Sequence, residues 1–257
     1  MFARFAVLML LALWVSVHVV TECAWRVGRR RGATREGNVS VEPASALLAV
    51  LGLLLAFTIS MAVDRFDARK QLVIDEANSI GTAELRARLL PEAARARSRA
   101  LLDAYLDRRV RWGEGAGDEA TQGRLAQEAI DYQNQLWQIA GEVGTLTPTP
   151  IFALYESALN QMIDLAAERA QVRANRVPET VLLLLGTIAL LANGLFAWVL
   201  GRNKKKNRLD LHLLAFVTWL VVALIVDLDR PRRGWVRVSQ EPLVRLQQAW
   251  RGTPPAR

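Results

Sequence analysis

The sequence predicts an all-α protein with four membrane-spanning helices and a helical extramembrane domain. Three observations carry this. Apolar residues make up 52% of the 257-residue chain and gather in four dense blocks, while the charged 23% fall between them. The polar stretches show apolar residues at alternating spacings of three and four, the period of a helix. No stretch of useful length alternates residue by residue as a strand would.

The first block is Phe2 to Val20. It is followed by TECAWRVGRRRG, a basic flank without a convincing small-x-small cleavage site, so it reads as a retained helix and not as a signal peptide. The second block, Ala46 to Val63, follows Pro43, which sits near the helix start where a missing N–H costs nothing. It holds about 18 residues, within the range that crosses a bilayer. The third block runs from Val181 to Leu200, just after Pro178. The fourth, Leu211 to Val226, is short alone, and Leu209 and Leu228 extend it. The boundaries expected are 1–66 for the first two spans (2–20 and 46–63), 67–177 for the helical domain, 178–228 for the last two spans (181–200 and 209–228), and 229–257 for a basic tail.

The long segment between the second and third blocks is too periodic to be a linker. Leu125, Ala129, Tyr132, Leu136, Ile139 and Val143 form one narrow stripe, and Phe152, Tyr155, Leu159, Met162 and Ala166 form another. Stripes of this kind are seams of an antiparallel or coiled-coil-like pair. The connection TLTPTP between them holds Pro148 and Pro150, which cannot continue a helix. Leu101, Leu102, Tyr105, Leu106 and Val110 give a third stripe, bounded by Pro91 and by GEGAG at 113–117. GEGAG lacks the Lys-Ser/Thr end of a phosphate loop. The stretch Asp64 to Leu90 runs out of the second block with no Pro or Gly before Gly81, so one continuous helix is expected to leave the membrane carrying charges of both signs. Such a face is read either as solvated or salt-bridged between helices, or as a vestibule that concentrates ions.

Net charge is +8, with most of the excess close to the ends of the apolar blocks. Basic residues placed there act as membrane-edge anchors and topology signals, and no nucleic-acid-binding signature accompanies them. The topology signals conflict. Arg26, Arg29, Arg30, Arg31 and Arg35 in one short loop, and Arg202, Lys204, Lys205, Lys206 and Arg208 in the other, ask for those loops to be cytoplasmic. Arg65, Arg69, Lys70, Arg173, Arg176, Arg230, Arg232 and Arg233 ask for the reverse.

Catalytic and metal chemistry find little support. Cys23 stands alone, so one chain builds neither a disulfide nor a thiolate site. His18 and His212 are the only histidines, each at the edge of an apolar block. His18 and Glu22, four apart, share a helix face and suggest a helix-edge hydrogen bond, with a proton-coupled or metal role as the alternative. Asp227 and Asp229 beside three arginines read as a charge-paired boundary, since a cation site needs more oxygen ligands. No metal, cofactor or catalytic cluster is expected, and the chain is not read as an enzyme.

Four stretches together resemble one family: LAFTISMAVDRFDARKQLVIDEANSIGTAELRARLLP, ALNQMID, RVPETVLLLL and DLDRPRRGWVRVSQEPL. They are similar to a widespread bestrophin-like family of bacterial membrane proteins and, more distantly, to bestrophin anion channels. Phe57, Arg65, Phe66, Ala68, Arg69 and Lys70 resemble the bestrophin run of a small-aromatic helix followed by an Arg-aromatic pair. Asp229, Pro231 and Gly234 resemble the turn after the last bestrophin span. Arg232 replaces the aromatic of that turn, and the dense acidic calcium clasp is missing, so the resemblance does not carry calcium gating. It implies a homo-oligomer, a pentamer, with the second block lining a central pore and the helical domain in the cytoplasm of a cell bounded by this inner membrane.

The expected function is therefore an oligomeric, anion-conducting channel in contact with membrane lipid. The alternative is a non-conducting scaffold or sensor that binds a partner through its helical seams. Gly52, Ala56 and Ser60, four apart, form a small-residue stripe on the second block, with Phe57 and Thr58 beside it. Such stripes let helices approach closely, or here line the pore. Arg65, Arg69 and Glu76 are the expected pore-mouth charges. Asp227, Asp229, Pro231 and Gly234 are the expected turn in the tail.

Overall fold

A computed structural model of the chain describes residues 2–34, 38–115, 117–146, 149–205, 208–229 and 235–252. These residues hold eight helices and no strand: α1 (Phe2–Thr34), α2 (Glu42–Ala87), α3 (Glu92–Glu114), α4 (Glu119–Leu146), α5 (Pro150–Ala174), α6 (Glu179–Arg202), α7 (Arg208–Leu228) and α8 (Glu241–Gly252). Four stretches are long and apolar enough to cross a membrane, and they fall on α1, α2, α6 and α7. The chain divides into two compact units, Met1–Arg65 with Arg176–Val236, and Phe66–Asn175 with Arg237–Arg257. The continuous α2 contributes to both. Its 46 residues contain no proline after Pro43, and Gly81 is accommodated without a break.

In the first unit, glycine sets how closely helices pack. A Cβ on Gly28 would strike the Trp198 carbonyl, one on Gly32 the Arg202 carbonyl, and one on Gly201 the Trp25 carbonyl. The backbones of α1 and α6 therefore touch directly, as small residues allow in a membrane, where lipid offers no hydrophobic gain for burying large ones. The indole of Trp219 donates to the Leu10 carbonyl at 2.9 Å and joins α7 to α1. Asn203 clamps the segment leading into α2, accepting from the Val39 amide and donating to the Val39 carbonyl, both at 2.9 Å.

The second unit has an ordinary water-soluble core. Leu102, Tyr105, Leu106, Leu136, Ile139, Tyr155, Leu159 and Met162 are fully buried in one cluster with Ile80 and Leu243. Most of the three stripes read from the sequence joins it, with Leu101, Tyr132 and Phe152 only partly covered, while Leu125 and Ala166 are buried outside the cluster. Helix ends follow local chemistry. Gly115 ends α3 in the left-handed region at φ 76°, where a side chain would be strained. Thr149 caps α5 by accepting from the Phe152 amide at 3.3 Å, with Pro150 at the first helical position. Pro148 of the expected turn lies outside the described residues. A Cβ on Gly144 would meet the Phe152 ring, so α4 and α5 approach closely beside that connection. At the other end of the unit, Gln247 donates to Asp107 at 3.2 Å and ties α8 to α3.

Candidate functional site

The membrane part of α2 has two unlike faces. Ala44, Leu51, Leu55, Thr58 and Ala62 are buried, at spacings of seven, four, three and four. On the other side Gly52, Ala56 and Ser60 are exposed. A Cβ on Gly52 would meet nothing within 4 Å. Phe57 is 64% exposed, and Leu53 and Met61 flank it. The small stripe and its aromatic neighbour thus make no contact that would explain their size within a single protomer. Thr58 departs from the expected pore set. It is 4% exposed, and its hydroxyl donates to the Leu54 carbonyl at 2.7 Å, because a residue six after Gly52 lies on the far side of the helix.

The expected pore-mouth charges separate. Arg65 is half-buried, with a guanidinium nitrogen 4.0 Å from Asp229. Asp229 also accepts from the Val177 amide at 3.0 Å, so one carboxylate joins the ends of the chain segments that enter α6 and leave α7. Asp227 accepts from the amides of Trp235 and Val236 at 2.8 and 3.0 Å. Pro231 and Gly234 of the expected turn in the tail lie outside the described residues.

Arg69 and Glu76 are not surface charges of the protomer, contrary to the expectation that they stand at a pore mouth. Arg69 is 5% exposed and donates to the Asn175 carbonyl at 2.7 Å, satisfying the end of α5. Glu76 is fully buried and is gripped by Arg109 of α3 and Arg169 of α5. Arg169 also reaches the Gln240 side chain, just before α8. Three guanidinium groups surround Trp112, with Arg173 at 3.9 Å, Arg109 at 4.5 Å and Arg169 at 5.3 Å from the ring centre. Arg173 further donates to the Trp112 carbonyl at 3.1 Å. Burial disfavours charge on both arginines paired to Glu76. For Arg169 it wins, aided by the nearby Arg109, and its pKa falls. For Arg109 the attraction of Glu76 outweighs burial, and its pKa rises. Tyr105 lies within the same cluster and its hydroxyl accepts from the Gln133 side-chain amide at 3.1 Å; burial pushes its pKa up to about 12.

The sequence pattern allowed the stretch of α2 that bears Glu76 to be salt-bridged between helices but did not name Arg109 and Arg169 as the partners. Their signal was present. Arg109 sits four after Tyr105 and one before Val110, on a buried stripe. Arg169 continues the stripe of Tyr155, Leu159, Met162 and Ala166 by three. A charge that falls in register with a core seam must find a partner there.

A second polar cluster lies in the C-terminal half of α1. Glu22 binds Arg208 and takes Arg26 at 2.7 Å, and His212 approaches it at 3.5 Å. The expected His18–Glu22 hydrogen bond is not made. The His18 ring instead pairs with the Trp14 carbonyl at 3.0 Å and stacks on His212 with centres 5.4 Å apart. Leu11, Trp14, Val15 and Val19 on the same helix are exposed, so the cluster sits where an apolar surface gives way to a basic one. Among the described residues no group of three or more His, Cys, Asp or Glu side chains could hold a metal ion.

These features define a multi-span helical membrane protein with one span that presents an unpartnered small and aromatic face, and with a helical unit held by a buried ion cluster. The chain belongs to the bestrophin-like family: the bestrophin-like domain matches residues 9–243. Its fold is that of solved bacterial bestrophin homologues. One from Klebsiella pneumoniae, a tyrosine-to-alanine variant, superposes with a TM-score of 0.74 at 13% identity, covering 93% of this chain and 97% of that one. A second structure from the same organism, phased on zinc, gives 0.71 at 14% identity, covering 93% and 98%. A membrane protein with a glycine-to-alanine substitution gives 0.75 at 12% identity, covering 97% and 100%. A search of curated proteins gives no match.

Proposed function

We propose that the protein is a homo-oligomeric ion channel of the bestrophin type, conducting anions across the cell inner membrane, with its helical unit on the cytoplasmic side and α2 lining the path. The observation that carries this reading is the exposed face of Gly52, Ala56, Phe57 and Ser60. A helix surrounded by lipid has no use for glycine, alanine and serine in register, whereas a ring of such helices around an axis needs them to approach and to leave room for an ion. Phe57 then supplies the narrow apolar point, which conducts only when wetted. Arg65 remains as the cation at the inner end of this segment, its charge offset in part by Asp229.

The scaffold reading requires seams that face outward. The seams of α3, α4 and α5 are instead spent on one another in the core, which favours the channel. The test uses purified protein in a planar bilayer under a potassium chloride gradient, with the mass of the detergent complex measured beside it. The expected result is an assembly of several chains and a current that reverses near the chloride potential. A monomer, or an assembly that passes no current, would favour the scaffold.

A further inference from the structure

We propose that the joined ends of α1, α6 and α7 form a binding site for the phosphate headgroup of an anionic phospholipid. The geometry begins with the glycines. Because Gly28, Gly32 and Gly201 bring the α1 and α6 backbones into contact, the basic end of α1 and the basic end of α6 are held at one level. Arg202 donates to the Arg31 carbonyl and locks that level. Arg208, at the start of α7, joins them through Glu22.

Within this edge the cations are unequal. Arg26 and Arg208 share the carboxylate of Glu22. Arg29 and Arg30 have no carboxylate partner among the described residues, and both are exposed. Arg29 is held over the buried Trp25 ring at 5.0 Å, and Arg208 lies 4.4 Å from the same ring. Trp25 itself is fixed by packing against Ala197 and Leu211 and by a 3.4 Å bond to the Lys205 carbonyl. Arg26, Arg29 and Arg30 stand three and four apart, on one face of α1. Leu11, Val15 and Val19 give an exposed apolar surface earlier on the same helix, and Val27 is exposed beside Arg30.

A face that is apolar below and cationic above, with two guanidinium groups lacking a carboxylate partner among the described residues, matches the layout of one lipid: acyl chain against the valines, phosphate among the arginines. Arginine suits this task because its fork binds phosphate oxygens in pairs. The Trp25 platform holds Arg29 in place before the lipid arrives, so less side-chain freedom is lost on binding. The apolar half of the surface distinguishes a phospholipid from free phosphate, which would gain nothing from Val19 and Val27.

The test is lipid retention by the intact protein. Detergent-solubilised wild-type protein is exchanged into nanodiscs of phosphatidylcholine containing a minor fraction of phosphatidylglycerol, re-extracted, and its bound lipid measured by native mass spectrometry. Wild type should enrich phosphatidylglycerol over phosphatidylcholine. R29Q combined with R30Q should lower that enrichment by roughly twenty-five-fold, since each basic residue near an anionic surface contributes about fivefold. R95Q combined with R124Q, which removes equal charge from exposed positions of the helical unit, should leave it unchanged. Should the first variant not fold, wild-type enrichment is read against salt, and it should fall as ionic strength rises. Equal retention of the two lipids by wild type, retention unaffected by R29Q and R30Q, or displacement of the lipid by millimolar inorganic phosphate would each overturn the proposal.

Discussion

The two units solve the same problem, packing helices, with a different balance of small and large side chains. In the membrane unit many buried positions are small, namely Ala44, Ala62, Ala189, Ala192, Ala197, Ala215 and the contact glycines, beside a few larger ones such as Leu51, Leu185 and Ile225. The large apolar residues Leu8, Leu53, Phe57, Leu183, Leu191 and Leu213 point outward. In the helical unit the large residues are inside, Tyr105, Tyr155, Leu136 and Met162 among them, and arginines and carboxylates cover the surface. The difference follows from the solvent. Water rewards the burial of apolar area by about 25 cal/mol per Å². Lipid gives no such reward, so helices there associate through close backbone contact and a few hydrogen bonds. Helix α2 shows both rules along one continuous element. Its membrane part leaves Phe57 exposed, and its remaining part buries Glu76.

That contrast predicts where substitutions hurt most. The largest effect belongs to the buried ion cluster. E76A strands Arg109 and Arg169 without a counter-charge and should cost about 3–5 kcal/mol, seen as a clear drop in the thermal midpoint of the protein in detergent. An unchanged midpoint would mean that the arginines relax to water, and the cluster would not be the keystone of the unit. Next comes the seam of α4. Leu136 is fully buried, and L136A should cost about 2–5 kcal/mol by the same measurement.

The same truncation in the membrane part should behave differently. F57A removes a side chain that is largely exposed in the protomer, so the midpoint should move little while conductance rises. A large loss of assembly with no current would assign Phe57 to packing between chains and remove it from the ion path.

The smallest effect is a pH dependence. Tyr105 has its folded pKa raised to about 12 by burial, against an ordinary value of 10.0. A raised acid pKa means that folding favours the neutral phenol. The associated stability is present below pH 10 and is lost as pH rises through about 12. Titrating wild type across that window should show a falling thermal midpoint, and Y105F should flatten part of the fall. Identical slopes in the two proteins would show that other groups control alkaline stability.

Much of this architecture was legible in the sequence, and the reason is periodicity. Apolar blocks of the right length announce spans, and stripes such as Leu125 to Val143 announce seams, because both depend on residues near in sequence. The long α2 was legible too, from the lack of a breaker before Gly81. The fates of the individual charges were not. Arg65, Arg69 and Glu76 lie on one helix within twelve positions, yet one is half-buried beside Asp229, one caps α5 and one is sealed in a core. Each fate is decided by a partner far along the chain, at positions 229, 175, 109 and 169, and local pattern carries no information about those pairings. Thr58 was misplaced for a simpler reason. Proximity to Ala56 and Phe57 in sequence is not proximity on a helix face, since successive residues turn by about 100°.

The central claim is that the small-residue face of α2 borders water in the assembled protein. Substituted-cysteine accessibility tests it most directly. The exposed Cys23 is first removed as C23A, and S60C or L51C is introduced into that background. Current through the reconstituted protein is then followed while a membrane-impermeant thiol reagent is added. The account predicts that S60C is modified quickly with a change in current, and that L51C, on the buried face, is not. If S60C stays unmodified while assembly and current persist, that face packs against lipid or a neighbouring chain, and the ion path lies elsewhere.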